Sequence, residues 1–453
     1  MSHLQDGFTV TGRSPVPLIE AWFRAALRVA FGGKYAGTDP LVRRSRHADL
    51  QANVALALAN KPFPAPYVAG EIVKMLRVGD FVSDVRISAL GHINLTLNTE
   101  WVAKRLSPIS ASERLAVPVA ATPQRVLLEY SSPDVAEVMH AGHLRTEIVG
   151  DAVARILEFL GNQVIRERRA GDRGASSRTA AGARLDCFNA DLAAIRHRIE
   201  DQRVDRLVYL AGGEQREYLE LLFAVARMTG MEPSGAALEH AEIGLVIDPR
   251  TGSELKSRSG EAFRASALLA GVRERAAEVF DESGRGARLD AEARAAIIDA
   301  TADGAVRFAD LLVARHDRYS FDVNRMIGFT GRTTGFVQYS TARMAAILRK
   351  GKRAPEPASD PIMIKTGEER ALVLHLLDFG LTLGQAGAAS EPHLLARYLY
   401  DLAVLSMAFY WACPVLKAPN EEIKASRLAL CAVTLRTLVT GLDLLGVPAP
   451  DWM

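Results

Sequence analysis

The sequence reads as an α/β protein with a small mixed N-terminal part, a central parallel sheet flanked by helices, and an all-helical C-terminal part. Three observations predict this. Strand and helix patterns alternate from residue 125 to about 270, the signature of a parallel sheet. Beyond 271 the apolar residues keep helical spacing almost to the end. Before 115, short helical and strand patterns mix.

Taken in order, Leu50–Leu58 and Val68–Leu76 carry helical spacing, and Val85–Leu97 alternates like strands around Gly91. Leu106–Gln124, rich in Ser, Pro and Ala, is expected to be a linker. Candidate strands follow at Val126–Tyr130, Gln163–Glu167, Leu207–Ala211 and Ile243–Ile247, a sheet that holds ligands at the carboxyl ends of its strands. Lys350–Pro361 (KGKRAPEPASDP) reads as a hinge or linker. From Ile362 the pattern is helical, with Leu372 and Leu376 on one apolar face and Leu428–Leu445 carrying another.

The 453 residues are enough for two to four domains with ample core. Hydrophobic content of 49% and charged content of 24% are those of a soluble globular protein. A net charge of +2 does not signal nucleic-acid binding in bulk, although a local basic surface can still release counterions. Cys187, Cys413 and Cys431 are far apart and form no C-x-x-C pair, so neither a zinc site nor a disulfide framework is expected. MSHLQDGFTV has no signal-peptide pattern, and the run Leu402–Leu416 is too short for a bilayer. A cytoplasmic protein without membrane contact is expected.

The most informative stretch is His140-Ala141-Gly142-His143. A short apolar strand, Arg125–Tyr130, and a polar turn, Ser131-Ser132-Pro133-Asp134, precede it. Leu144, Ile148, Ala152, Ile156 and Leu160 follow at every fourth residue, so the motif opens a helix. A helix start offers free N–H groups and partial positive charge to phosphate. Gly142 lets a base or ribose approach the backbone. Two imidazoles near an α-phosphate can stabilise charge that develops as pyrophosphate leaves.

The flanks make the resemblance specific. Leu127–Gly174 (LLEYSSPDVAEVMHAGHLRTEIVGDAVARILEFLGNQVIRERRAGDRG) resembles the first half of a class I aminoacyl-tRNA synthetase catalytic domain, and within that class is most similar to the arginyl-tRNA synthetase family. Asp191–Arg227, Ser253–Arg264 (SELKSRSGEAFR), Phe336–Lys350 and the ending LLGVPAPDWM have counterparts there. HADLQANVALALA and ISALGHINLTL resemble that family's small N-terminal domain. The resemblance implies four parts: an N-terminal additional domain at 1–115, a Rossmann-like catalytic domain at 116–270, a helical connection at 271–361 and an anticodon-binding-like helical bundle at 362–453.

The resemblance also implies ATP with Mg²⁺ as cofactors, activation of an amino acid (arginine by resemblance) and transfer to tRNA. It assigns ATP contacts to His140, Gly142, His143 and Lys256. His140, His143, Lys256 and Arg258 are the catalytic candidates, the last two in the ELKSR segment that stands where class I enzymes carry a KMSKS-like loop. Glu129, Ser131, Asp134, Cys187, Asp191, Gln215 and Tyr218 fall at the amino-acid pocket, where two carboxylates can engage a guanidinium. Several positions depart from the family's pattern. Asp134 replaces an Asn, Cys187 a Tyr, Tyr218 a His and Arg173 a Trp. Glu137 stands where a lysine that helps with the triphosphate is usual, and Glu254 where a basic residue is common. Only Ala175–Ala190, with the loop-like SSRTAAGARL, separates the G-D-R-G turn from Asp191, where the family carries a much longer insertion. These departures motivate two further readings, a paralogue that ligates an amino acid to a small-molecule amine and a non-catalytic tRNA-binding paralogue. A different H-x-G-H nucleotidyltransferase would not explain the C-terminal helical part.

Overall fold

The computed structural model describes residues 13–60, 62–132, 139–170, 181–230, 235–255, 264–282, 284, 290–328, 331–358 and 360–449, with backbone alone at 131–132, 169–170 and 181–185. The N-terminal part contains α1 (Val16–Phe31), β1 (Val42–Arg44), β2 (Leu50–Ala52), α2 (Val54–Leu58), α3 (Ala65–Met75), β3 (Val82–Ile87), β4 (Ile93–Leu97) and α4 (Thr99–Ala111). Its four strands form an antiparallel sheet in the order β1-β2-β4-β3. Two expectations are corrected here. Leu50–Leu58 is a strand followed by a short helix, because Leu50 and Ala52 alternate into the core while Gln51 pairs with Asn94. The expected linker Leu106–Gln124 begins inside α4, where Leu106, Ile109 and Ser110 are buried despite Pro108.

The central part runs β5 (Arg125–Ser132), α5 (Ala141–Phe159), β6 (Gln163–Ala170), α6 (Ala181–Glu200), β7 (Arg206–Gly212), α7 (Arg216–Met228), β8 (Ala237–Ile243) and β9 (Val246–Ile247). Four of these strands pair parallel in the order β6-β5-β7-β8. The order reverses between β5 and β7, so the chain leaves the sheet in opposite directions there and opens a crevice at the carboxyl ends. The period of two sets the faces. Val126, Leu128, Tyr130, Val208 and Leu210 join the large core on the α5 side. Leu127, Leu207, Tyr209 and Ala211 join a second core with Ile195, Leu219 and Leu222 of α6 and α7.

Ile243–Ile247, expected as one strand, is interrupted at Gly244. A Cβ there would overlap the carbonyl of Asp317. The SSRTAAGARL segment is likewise not a loop throughout, since α6 starts at Ala181; its earlier residues lie outside the described ones. Close approach also fixes Gly150, where a Cβ would stand 2.5 Å from the ring of buried Tyr130. Gly150→Ala should cost about 1–3 kcal/mol through overpacking, read as a lower urea midpoint at unchanged slope. A midpoint equal to the parent's would show that Tyr130 moves aside freely.

The remaining elements are α8 (Ala265–Glu282), α9 (Ala291–Leu311), β10 (Tyr319–Ser320), α10 (Val323–Met326), α11 (Thr334–Lys350), α12 (Gly367–Leu377), α13 (Phe379–Ala389), α14 (His393–Ala412) and α15 (Glu421–Leu444). Two stretches, Gly367–Ala389 and Glu421–Leu444, are long and apolar enough to cross a membrane, but they lie mostly buried inside the bundle. The Lys350–Pro361 stretch does leave regular structure after α11, yet it is tied down: Ala358 N–H donates to Ser110 O. Arg206, 1% exposed at the start of β7, pairs with Glu239 at 2.8 Å. It also donates to Gly387 O, Ala388 O and Ser390 Oγ, each at 3.0 Å, and so closes the end of α13 from the sheet.

Candidate active site at the crevice between the first and third strands of the parallel sheet

His140 is the N-cap of α5, so the helix opens on the motif. Its backbone is extended, and its Nδ1 accepts from Gly142 N–H at 3.1 Å, which places the ring proton on Nε2. The His140 and His143 rings lie against each other with centroids 3.7 Å apart and planes tilted by 32°. A Cβ on Gly142 would meet His140 Cε1 at 3.1 Å, so glycine keeps this pair close to the backbone. Burial, reinforced by the neighbouring His140 charge, pushes the His143 imidazole down to about 4. It is therefore neutral near pH 7 and can donate a hydrogen bond without carrying charge. His143 Nδ1 is buried with no hydrogen-bond partner among the described residues. Thr146 Oγ1 donates to Gly142 O one turn along, and Ala265 N–H to Met139 O at 2.9 Å, anchoring the helix entry on both sides.

The end of β7 supplies Gly212 and Gly213, where added Cβ atoms would collide with the carboxylates of Glu214 and Glu242. The end of β8 supplies Gly244, Leu245 and Val246, with Glu254 and Leu255 folding back: Leu255 N–H donates to Val246 O at 2.9 Å. These walls, together with His316 and Arg318 from the segment before β10, enclose a cavity of about 600 Å³ below the two histidines. That volume is in the range of small-molecule sites.

The cavity brings together His140, Gly142, His143 and Gln215 among the candidates; Gln215 is 3% exposed. The other described candidates cluster on the α6 side. Glu129 points there by strand alternation and meets Arg198 at 2.6 Å, while Arg198 also bridges to Glu167 at 2.5 Å and donates to the Tyr209 hydroxyl oxygen at 3.2 Å. Asp191, 2% exposed, accepts from the Tyr218 hydroxyl at 2.6 Å. Cys187 lies exposed one turn before it. Ser131 pairs in register with Arg169 at the end of β5. Asp134, Lys256 and Arg258 lie outside the described residues, as do Glu137 and Arg173. Sequence reading missed Thr146, Glu214, Glu242, His316 and Arg318. The Gly-Gly pair before Glu214, at a strand end, was the signal available for that wall. His316 and Arg318 had none, because they reach the site from beyond two helices.

Family models match three segments: "Arginyl tRNA synthetase N terminal domain" at 18–97, "tRNA synthetases class I (R), catalytic domain" at 106–177 and 182–323, and "DALR anticodon binding domain" at 337–453. The arginine–tRNA ligase of Thermobifida fusca is 35% identical over 578 residues, covering 97% of this chain and all of that protein. That span exceeds the 453 residues here, so the relative carries segments with no counterpart in this chain. The arginine–tRNA ligase of Frankia casuarinae is 30% identical over 92% of this chain and 95% of its own length. Among solved structures, arginyl-tRNA synthetases from Plasmodium falciparum (TM-score 0.81, 19% identity, 98% of this chain and 100% of that one) and Thermus thermophilus (TM-score 0.75, 20% identity, 96% and 100%) share the fold.

Proposed function

Because the chain belongs to the arginyl-tRNA synthetase family, we propose that it activates arginine with ATP in the cavity beneath His140 and His143 and passes the arginyl group to tRNA. The reaction class is ATP-dependent amino-acid activation followed by aminoacyl transfer. In the first step the amino-acid carboxylate attacks the α-phosphorus, the bond to the bridging oxygen breaks, and pyrophosphate leaves with its electron pair. His140 Nε2–H and neutral His143 are placed to donate to the oxygens on which charge builds. The N-terminus of α5 adds backbone N–H groups to the same region. Mg²⁺ would be held chiefly by the phosphates and water, as its preference for octahedral oxygen ligands allows, with Glu214, Glu242 and Glu254 as the nearby carboxylates.

The close histidine pair on a helix start at the strand-order reversal carries this reading. Arginine-dependent ATP–pyrophosphate exchange, with and without tRNA, tests it. Exchange that requires arginine supports it. No exchange with any amino acid, alongside tight tRNA binding, would favour the non-catalytic reading. None of the relatives named above is named for transfer to an amine, so that alternative rests on the sequence departures alone.

We place the amino-acid side chain against Asp191 and Glu129. Asp191→Asn should weaken arginine binding by about 2–5 kcal/mol, as for truncating one partner of a buried charge pair, and should leave citrulline nearly unaffected. Calorimetric titration of both amino acids decides it; equal losses would move the pocket elsewhere. The division at about 115, 270 and 361, and a cytoplasmic setting, belong to the same proposal.

The C-terminal bundle is proposed as an RNA-contacting module, although not through Arg427 or Arg436. Arg427 is buried, bonded to Glu369 Oε1 at 2.8 Å and to Pro414 O at 3.0 Å. Arg436 donates to Ser110 O and Ser112 O of α4 and its C-cap. Both are spent inside the fold. If tRNA binds, its affinity should fall steeply between 50 and 200 mM salt, on the order of 10³-fold for about six phosphate contacts. A flat salt dependence in a filter-binding assay would remove the RNA role.

A further inference from the structure

Among the described residues, the cavity under the histidine pair is poor in positive charge for a site that must hold a triphosphate; Lys256 and Arg258, which the resemblance assigns to catalysis, lie outside them. Glu214, Glu242 and Glu254 line it with carboxylates, and burial keeps His143 neutral near pH 7. Among the described lining residues Arg318 is the one permanent cation. Its side chain is exposed, and it forms no ion pair with a described residue. We infer that Arg318 is a phosphate-contacting residue whose guanidinium engages the β- and γ-phosphates of ATP and the pyrophosphate as it departs.

The backbone that carries Arg318 is fixed on both sides. Gly244 N–H donates to Arg315 O at 2.7 Å, and Tyr319 N–H to Leu245 O at 2.9 Å, so the segment is pinned to the end of the parallel sheet. Tyr319 is 4% exposed and pairs in register with Val246. The second brace comes from the histidine helix itself. Arg145, two residues after His143 and 1% exposed, donates from Nη2 to Ala314 O at 3.1 Å and Arg315 O at 3.3 Å. One buried guanidinium thus ties the turn bearing the histidines to the segment bearing Arg318. Their separation is set before ATP arrives, which is what preorganised charge stabilisation needs. A planar guanidinium also matches phosphate oxygens in pairs, which an ammonium does not.

The inference rests on the adenylate chemistry proposed above and adds a residue to it. The test uses the full chain with Arg318→Ala and Arg318→Lys. Magnesium pyrophosphate and a non-hydrolysable ATP analogue are titrated directly, and ATP–pyrophosphate exchange is measured at saturating arginine. Arg318→Ala should weaken pyrophosphate about 10- to 10²-fold, the scale of charge-assisted hydrogen bonds. Arg318→Lys should recover part of this loss, while the KM for arginine and the affinity for tRNA stay at parental values. If the parent binds the analogue and Arg318→Ala binds it and pyrophosphate equally well, this inference alone falls. The same holds if Arg318→Ala loses only tRNA affinity or transfer, since the cation then serves an RNA phosphate. If the parent binds neither ATP analogue nor pyrophosphate, the adenylate reading falls and takes this one with it.

Discussion

His143→Ala is expected to slow adenylate formation by about 10²-fold or more, the loss that follows removal of one preorganised donor from a developing oxyanion. The size of the effect follows from burial. At 7% exposure the imidazole works in a water-poor setting, and its partner atom in the protein is missing: Nδ1 has no hydrogen-bond acceptor or donor among the described residues. Single-turnover pyrophosphate release at saturating ATP and arginine measures the step itself. His143→Asn, which keeps a neutral donor, should lose less. His140→Ala should fall in the same range and also loosen the helix start, since its Nδ1 accepts the Gly142 N–H. Parental rates in both alanine variants would remove the pair from the chemistry.

The depressed His143 value also sets a sign for stability. Its folded-state value of about 4 lies below the unfolded reference near 6.5. Between these limits the unfolded chain binds the extra proton, so stability rises with pH there. The contribution is complete above about pH 6.5 and is lost as pH falls toward 4. His143→Asn should flatten this part of the stability–pH curve, measured by urea unfolding at several pH values; an unchanged slope would assign the titration to another group.

Glu369→Ala is expected to destabilise the C-terminal bundle by about 3–5 kcal/mol, the cost of stranding a buried charge. Glu369 is 1% exposed at position N3 of α12. It completes a capping box with Thr366, accepts from Lys365 N–H at 2.6 Å and Thr366 N–H at 2.9 Å, and holds Arg427 from α15. One carboxylate therefore caps a helix start and neutralises a buried guanidinium. Glu369→Gln keeps the cap but not the charge and should fall between. Thermal unfolding followed by circular dichroism separates the three proteins. A midpoint within about 1 °C of the parent for Glu369→Ala would mean that Arg427 swings out to solvent, since 1 kcal/mol moves such a midpoint by at least ~2 °C even in a domain of 150–250 residues.

The parallel sheet was legible because apolar runs of strand length alternate with helical spacing, and the H-x-G-H turn because its capping residues sit in sequence next to the helix they open. Gln215 was legible through its neighbours in the block Asp191–Arg227. Leu50–Ala52 was not, because three residues of period two are swallowed by the helical spacing that follows. The internal roles of Arg427 and Arg436 were not legible, because sequence shows charge but not its partners; Glu369 is 58 residues away and Ser110 is 326. The wall formed by His316 and Arg318 was hidden for the same reason. A residue delivered across two helices has no local pattern, only a tertiary address.

The closure of α13 by Arg206 has a consequence for biosynthesis. The acceptors of that guanidinium, Gly387 O, Ala388 O and Ser390 Oγ, lie 181 to 184 residues downstream. At synthesis rates of about 5–20 residues per second, they emerge from the ribosome roughly 10–40 s after β7 does. During that interval the nascent sheet carries an arginine that Glu239 neutralises but nothing yet encloses. The sheet, although translated first, cannot reach its native packing around Arg206 until α13 has been made, so this step of folding waits on synthesis far downstream of the strand it completes.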